Sequence, residues 1–468
     1  MLKPVQVASA DGLRDEDRQL VAELVKAWGD HREGNLKRHE YYTMHNRLVD
    51  LGISIPPELR NLNAACGWGK KCVDVMVEHT KLDSFRCDDE EVQARLAAIM
   101  RRNRMRSLYR RATTSALEQC FALYFVSKDD AGKAHVSAYP AHACGVVWDD
   151  AHDKIGAAMF VVSMGKVPYR GYEPTWINVV TDEYLIRLTR DSRSPWRAEY
   201  ERHALGCLPV FMSAYEPTLD RPMGTSRITN EVMGYIDSAV RANVNEEIAA
   251  AFAASTQKYL LGTDGDPFEN ATPWRAYIGA IFNIDMTEDG TIPQFGQLPQ
   301  PSMEPINVHW RLLCGRMSAA TGIHVSQFGI VHDQPASSDA IYAENEPLIL
   351  KCKDWNDDAA DVLADVATAC VATELGTTFE DVEGRGYNIV AHLPNPAMPT
   401  LAQQTDSSVK IASMVDGFSM TKAFWLMNGF SDEEADYIMR QVEDAQTRQA
   451  TNAAIASIFG PETGGETT

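Results

Sequence analysis

The residues best able to do chemistry in this chain stand in patterns that stop short of a reaction. Gly67-Trp68-Gly69-Lys70-Lys71 is the nearest approach to a phosphate loop. A working loop needs a glycine about five positions before the second one and a Ser or Thr after the lysine, because backbone N–H groups and a hydroxyl must ring the phosphates and their metal. Ala64 and Lys71 stand there instead, so a lysine-bearing helical turn is expected. Gly384-Arg385-Gly386 is too short a glycine signal to hold a nucleotide. His39-Glu40 opens a zinc-protease pattern but lacks its second histidine. His142 with His152, or His324 with His332, would make a metal site only if folding joined them. The nine cysteines are scattered, odd in number and without a C-x-x-C pair. They are expected to be small buried hydrophobes in a reducing compartment. Asp149-Asp150 and Asp357-Asp358 are expected to be helix starts or solvated surface, since acid/base work needs carboxylates at a controlled separation in a cleft. No Gly-x-Ser-x-Gly elbow is present. No catalytic, cofactor-binding or metal-ligating residue is therefore assigned, no cofactor is expected, and a non-enzymatic role is.

Charge narrows the classes further. The formal charge is -21. A surface this acidic does not grip nucleic acid broadly, because that affinity comes from neutralised phosphates. It can still surround DNA without adhering to it. The exception is residues 99–112, with Arg101, Arg102, Arg104, Arg106, Arg110 and Arg111 and no acid among them. Three readings stay open for it: a solvated helix face, a contact with an acidic neighbouring subunit, or a nucleic-acid contact. Apolar residues make up 45% and charged residues 23%, enough to bury a sizeable core. No apolar run has the length to span a bilayer, and no secretory signal pattern opens the chain. No membrane association and synthesis in a cytoplasm are expected.

The elements that must position these residues follow from periodicity. Residues 14–29 and 61–79 read as helices. Residues 120–189 switch to a period of two, with short spacers such as Asp129-Asp130-Ala131-Gly132, and read as an antiparallel meander. That argues against a doubly wound nucleotide fold. Residues 226–259 carry Ile228, Val232, Ile236, Val240, Val244, Ile248 and Phe252 every four residues, a helix of roughly 50 Å. Residues 262–305 lack a helical period and read as a small module of strands and loops. Residues 306–321 are helical, 322–335 a loop, and 337–353 a helix in which Pro347 is expected to cause a kink or break. Residues 356–375 read as a separate acidic amphipathic helix. Ser431-Asp432-Glu433-Glu434 has capping-box spacing before a last helix.

This order of elements resembles the portal proteins of tailed bacteriophages, closest to those of siphophages and actinobacterial phages. The resemblance covers about residues 38–448 and rests on four places. They are Arg38 to Tyr42 with Asn61, Val73-Asp74 and Leu82-Asp83-Ser84-Phe85; Leu208-Pro209-Val210-Phe211 with the helix holding Asn230, Ile236, Asn243 and Phe252; Ala336-Ser337-Ser338-Asp339-Ala340-Ile341 with Ala343-Glu344; and Lys422 to Phe430 with its cap. It implies an α+β, mainly helical fold with wing, stem, clip, tunnel helix and crown. The implied divisions are 1–225 for the N-terminal region and wing, 226–259 and 306–321 for two stem helices, and 260–305 for the clip. Residues 322–336 would be a tunnel loop, 337–355 a kinked tunnel helix, 356–450 a crown and 451–468 a disordered tail. Candidate tunnel residues are His332, Asp333, Asp339, Glu344, Glu346, Pro347, Lys351 and Lys353. The implied role is a virion protein at the capsid's portal vertex, made in the host cytoplasm. A homo-oligomeric ring of about twelve subunits would pass double-stranded DNA without sequence specificity during packaging and ejection. The implied partners are the terminase large subunit, head-completion or adaptor proteins, and the major capsid and scaffolding proteins. A minor head or adaptor protein is one alternative, and a metal-dependent nuclease or phosphotransferase another. Lys351 and Lys353, soon offset by Asp354, Asp357 and Asp358, depart from the more basic tunnel helix of relatives.

Overall fold

In a computed structural model of the chain, residues 4–46, 65–167, 171–191, 194–254, 258–261, 294–297, 302–330, 338–397 and 401–458 are described. The strand-rich half turns on β2 (Phe121–Lys128), whose first six residues are all buried. Successive side chains of a strand face opposite sides, and here both sides meet a core. Phe121, Leu123 and Phe125 join a cluster with Phe160, Val146 and Leu185. Ala122, Tyr124 and Val126 join the helical core instead. β2 lies between β3 (Ala134–Pro140) and β9 (Val210–Ala214), antiparallel to both.

The rest of the expected meander is a second sheet. β4 (Cys144–Asp149), β5 (Lys154–Val167), β6 (Gly171–Val180), β7 (Tyr184–Thr189) and β8 (Arg197–Arg202) pair in chain order, all antiparallel. One face packs on β2. The other buries Met159, Ile177, Val179, Ile186 and Leu188 against Val21, Leu24, Val25 and Trp28 of helix α2 (Asp17–Tyr42). α2 follows a short α1 (Pro4–Ala8). It runs through the charged Arg38–Tyr42 stretch, so the helix expected over 14–29 is longer than its apolar period. Gly145 is required where they meet, since a Cβ there would stand 2.3 Å from the Leu24 carbonyl oxygen.

The helical core gathers α3 (Trp68–His79), α4 (Glu90–Arg102), α5 (Met105–Gln119), α6 (Asn230–Ala254), α7 (Glu304–Thr321) and α8 (Ser338–Leu375). Gly67 is only the residue preceding α3, which fits the helical-turn reading of the glycine-lysine stretch. Asp89 caps α4 by accepting from the Glu91 and Val92 N–H groups. The basic segment is two helices, not one. The break falls at Asn103-Arg104, where Arg104 has φ +50 and the Asn103 side chain bonds β3 at Ala134 and Val136.

α6 starts where the Thr229 hydroxyl accepts the Val232 N–H. Its 25 residues make it about 37 Å long, shorter than expected. α6 and α7 pack on one another, and the chain between them enters and leaves through antiparallel strands β10 (Lys258–Leu261) and β11 (Gln294–Gln297). The rest of the expected strand-and-loop module lies outside the described residues.

α8 overturns an expected border. It is one 38-residue helix that passes through Pro347 and through the expected junction at 355/356. The residues just beyond the proline, Leu348, Ile349, Cys352 and Trp355, are buried, and that packing outweighs one lost backbone bond. α9 (Phe379–Gly384) follows, then β12 (Val390–His392), which pairs with β1 (Ser84–Arg86). α10 (Leu401–Met414), α11 (Lys422–Met427) and α12 (Asp432–Ile458) complete the chain. The capping box is present: Ser431 Oγ accepts the Glu434 N–H and Glu434 accepts the Ser431 N–H. α12 continues to Ile458, into the stretch expected as a tail. The alanines there favour helix.

Six of the nine cysteines are buried and all are free. Burial pushes the Cys66 and Cys352 thiols up to about 11 and Cys72 to about 12.

Candidate functional site

The α6–α7 pair and α8 meet around one buried cation. Arg227 is 6% exposed and lies three residues before α6. Its Nε donates to the Cys72 carbonyl of α3 at 2.7 Å, and Nη2 to the Thr321 carbonyl at the end of α7 at 2.9 Å. Its Nη1 donates to the Tyr215 hydroxyl at 2.9 Å. Tyr215 in turn donates to Glu216 at 2.9 Å, and Lys351 of α8 donates to the same Glu216 oxygen at 2.7 Å. Burial raises Glu216, but the Lys351 ammonium more than reverses this and holds it below the usual glutamate value. A chain of charge-assisted bonds thus ties α3, the start of α6, the end of α7 and α8 into one joint. Gly224 makes this possible. Its φ is +70, and a Cβ there would lie 2.4 Å from the Tyr215 carbonyl oxygen.

Beyond Thr321 the chain turns at Gly322, φ +71, into a short helical turn, Val325–Phe328. Phe328 packs edge-on to Trp68 at 5.5 Å, and Trp310 of α7 packs on the same indole at 5.1 Å. The first part of the expected tunnel loop is therefore fixed to the body. His324, whose Nδ1 accepts the Ser326 N–H at 3.3 Å, lies beside Glu344 of α8, 3.4 Å away.

Of the candidate tunnel residues, His332 and Asp333 lie outside the described residues. Asp339 sits in the first turn of α8, and Glu344 bridges to His324. Glu346, Pro347 and Lys353 are exposed, and Lys351 is committed to Glu216. No spacing announces Arg227, Tyr215 or Glu216. A lone arginine before an apolar helix is the only sequence sign.

The six arginines divide. Arg102 bonds Glu374, whose side chain is 3% exposed and also faces Arg95 at 3.6 Å. Arg106 reaches Asp83 at 3.5 Å and Glu433 at 3.3 Å. Arg101, Arg104, Arg110 and Arg111 are exposed.

His142 and His152, one of the pairs that folding would have had to join, are engaged separately. His142 Nδ1 bonds Gln119 at 2.7 Å, and Gln119 donates to the buried Glu118, which also bonds His39 at 2.7 Å. Burial, then His39 and Arg32, push His142 below the usual histidine value. His152 bonds Asp149 at 2.7 Å. Among the described residues, no group of three or more His, Cys, Asp or Glu is placed to hold a metal ion.

No family model matches the chain. Two phage proteins do. The portal protein of Mycobacterium phage L5 is 22% identical over 477 aligned positions, covering 92% of this chain and 89% of its own. That of Mycobacterium phage D29 is 23% identical over 365 positions, covering 71% and 70%. The chain is similar to phage portal proteins along most of its length. Among solved structures it resembles a chain of a native gene transfer agent virion, with TM-score 0.45 and 13% identity, over 85% of this chain and 99% of that one. A chain from the neck of a native gene transfer agent particle, computed with C12 symmetry, gives TM-score 0.43 and 13% identity, over 84% and 98%.

Proposed function

We propose that the chain is a structural subunit of a phage portal: a closed ring at one capsid vertex through which double-stranded DNA enters and leaves. The similarity to the L5 portal protein over 92% of the chain carries this reading. The α6–α7 pair, joined through a two-stranded base and followed by a long helix, supports it. In this reading α6 and α7 are the stem and residues 258–303 the clip. The loop after Thr321 and the first half of α8 face the channel. The sheets with α1 to α5 form the wing, and the rest of α8 with the following helices the crown. The clip is the docking point for terminase and then for head-completion proteins, with capsid and scaffolding proteins around the wing. The net charge of -21 suits a bore that repels phosphates, because a polyanion slides where nothing binds it.

A closed ring of identical chains needs a heterologous interface whose rotation closes. Native mass spectrometry of the purified chain tests this. About twelve copies of a 51.9 kDa chain predict a species near 620 kDa, and a monomer at all concentrations would refute it.

A further inference from the structure

One groove carries charge that its own chain leaves unanswered. It lies between β1, the α4–α5 corner and α12, with a volume of about 610 Å³. Asp83, Glu433 and Asp436 line it along with Arg101, Arg104, Arg106 and Arg440. Each acid there is already engaged: Asp83 and Glu433 by Arg106, and Asp436 by Lys422 at 2.6 Å. Arg101, Arg104 and Arg440 are exposed and have no ion pair among the described residues. Three guanidinium groups thus converge on one concavity without a counter-charge.

The same chain carries the complement. Asp354, Asp358, Asp361 and Asp365 recur along α8 at intervals of three and four, which puts them on one helix face, and all are exposed. Lys351, three residues before Asp354, is taken by Glu216. Burial and mutual repulsion raise Asp358 and Asp365, as expected of carboxylates without a cation.

We propose that the arginine groove of one copy seats the aspartate face of α8 from the neighbouring copy. This rests on the portal-ring reading and supplies the heterologous contact that it requires. The aspartate face is the occupant because every neighbouring copy carries it, its carboxylates spaced three or four residues apart along one helix face. Guanidinium forks also match carboxylates two bonds at a time.

A charge swap tests it, with ring mass read by native mass spectrometry and folding by circular dichroism. R101E/R104E/R440E and D354K/D358K/D361K are each expected to abolish the ring while remaining folded. A chain carrying both sets is expected to restore it. The neutral set R101Q/R104Q/R440Q is expected to raise the protein concentration for half-assembly about tenfold and to assemble less readily as salt rises. The proposal is overturned if either reversal leaves the ring intact, or if the doubly reversed chain stays dissociated. It is also overturned if the arginine variants keep the ring but lose retention of a DNA duplex on a filter, which would assign the groove to phosphate. A wild-type chain that never forms a ring would sink the portal reading itself, whereas an intact wild-type ring indifferent to the swaps would sink only this contact.

Discussion

Replacing Arg227 with methionine removes one buried cation and tests whether α6, α7 and α8 share a joint. Methionine keeps much of the length and apolar bulk, so the packing around Met76 and Ile228 survives. Three oxygens lose their donor: the Cys72 and Thr321 carbonyls and the Tyr215 hydroxyl. Each lost bond to the charged group is worth about 1.5–3 kcal/mol, and relief of the guanidinium's own desolvation returns part of that. The net loss is about 3 kcal/mol. For a cooperative unit of this size, with about 2 cal/mol/K of unfolding entropy per residue, that corresponds to a melting point roughly 3 °C lower. Arg227→Lys keeps the charge but lacks the fork that reaches three directions, and it should fall between wild type and methionine. The assay is a thermal melt by circular dichroism at one fixed protein concentration, because assembly also moves the midpoint. If methionine melted within about 0.5 °C of wild type, the joint would contribute nothing to stability and the network would be incidental.

Three further outcomes follow from the same structure. Phe160→Ala empties the space between the sheets where Phe160 stacks on Tyr139 at 4.3 Å and meets Phe125 at 4.9 Å; it should cost about 3–5 kcal/mol in urea titration, and a loss under about 1 kcal/mol would mean the sheets do not share that core. Glu374→Ala takes the buried acceptor from Arg95, Arg102 and the Ala134 N–H, leaving Arg95 its pair with Glu91 and Arg102 its bond to the Ala134 carbonyl; a loss of about 2 kcal/mol is expected, and an unchanged urea midpoint would contradict it. Asp365 is held up to about 6 by burial, then by Glu383 and Asp361. Because its folded value lies above its unfolded one, the native state gains stability as pH falls from about 6 toward 4. Asp365→Asn should therefore melt above wild type at pH 7, with the gap closing near pH 4; parallel melting curves across that range would refute the assignment.

The sequence exposed elements whose period matches their burial. β2 reads as a continuous apolar run because each of its faces meets a core, and the capping box at Ser431 appears where its spacing predicts. Misreadings came where a local rule met tertiary packing. Pro347 signals a kink or break, and the helix continues through it where Leu348, Ile349, Cys352 and Trp355 are buried. The arginine run 99–112 reads as one helix, but Asn103 leaves it to bond β3 and the helix divides there. The joint at Arg227 was illegible because its partners lie at Cys72, Tyr215 and Thr321, and no local spacing relates them. The charge of the arginine run was visible at once. That Arg102 and Arg106 are spent within the chain was not, since Glu374 and Glu433 are distant in sequence.

The most direct test of the portal reading is a cryo-electron microscopy reconstruction of the purified assembly. It should show a closed ring with an open axial channel, and the innermost wall should be formed by the segment from Gly322 through the first turns of α8. A compact particle without a channel, or a ring whose bore is lined by the β4–β8 sheet with α8 on its outer surface, would contradict it.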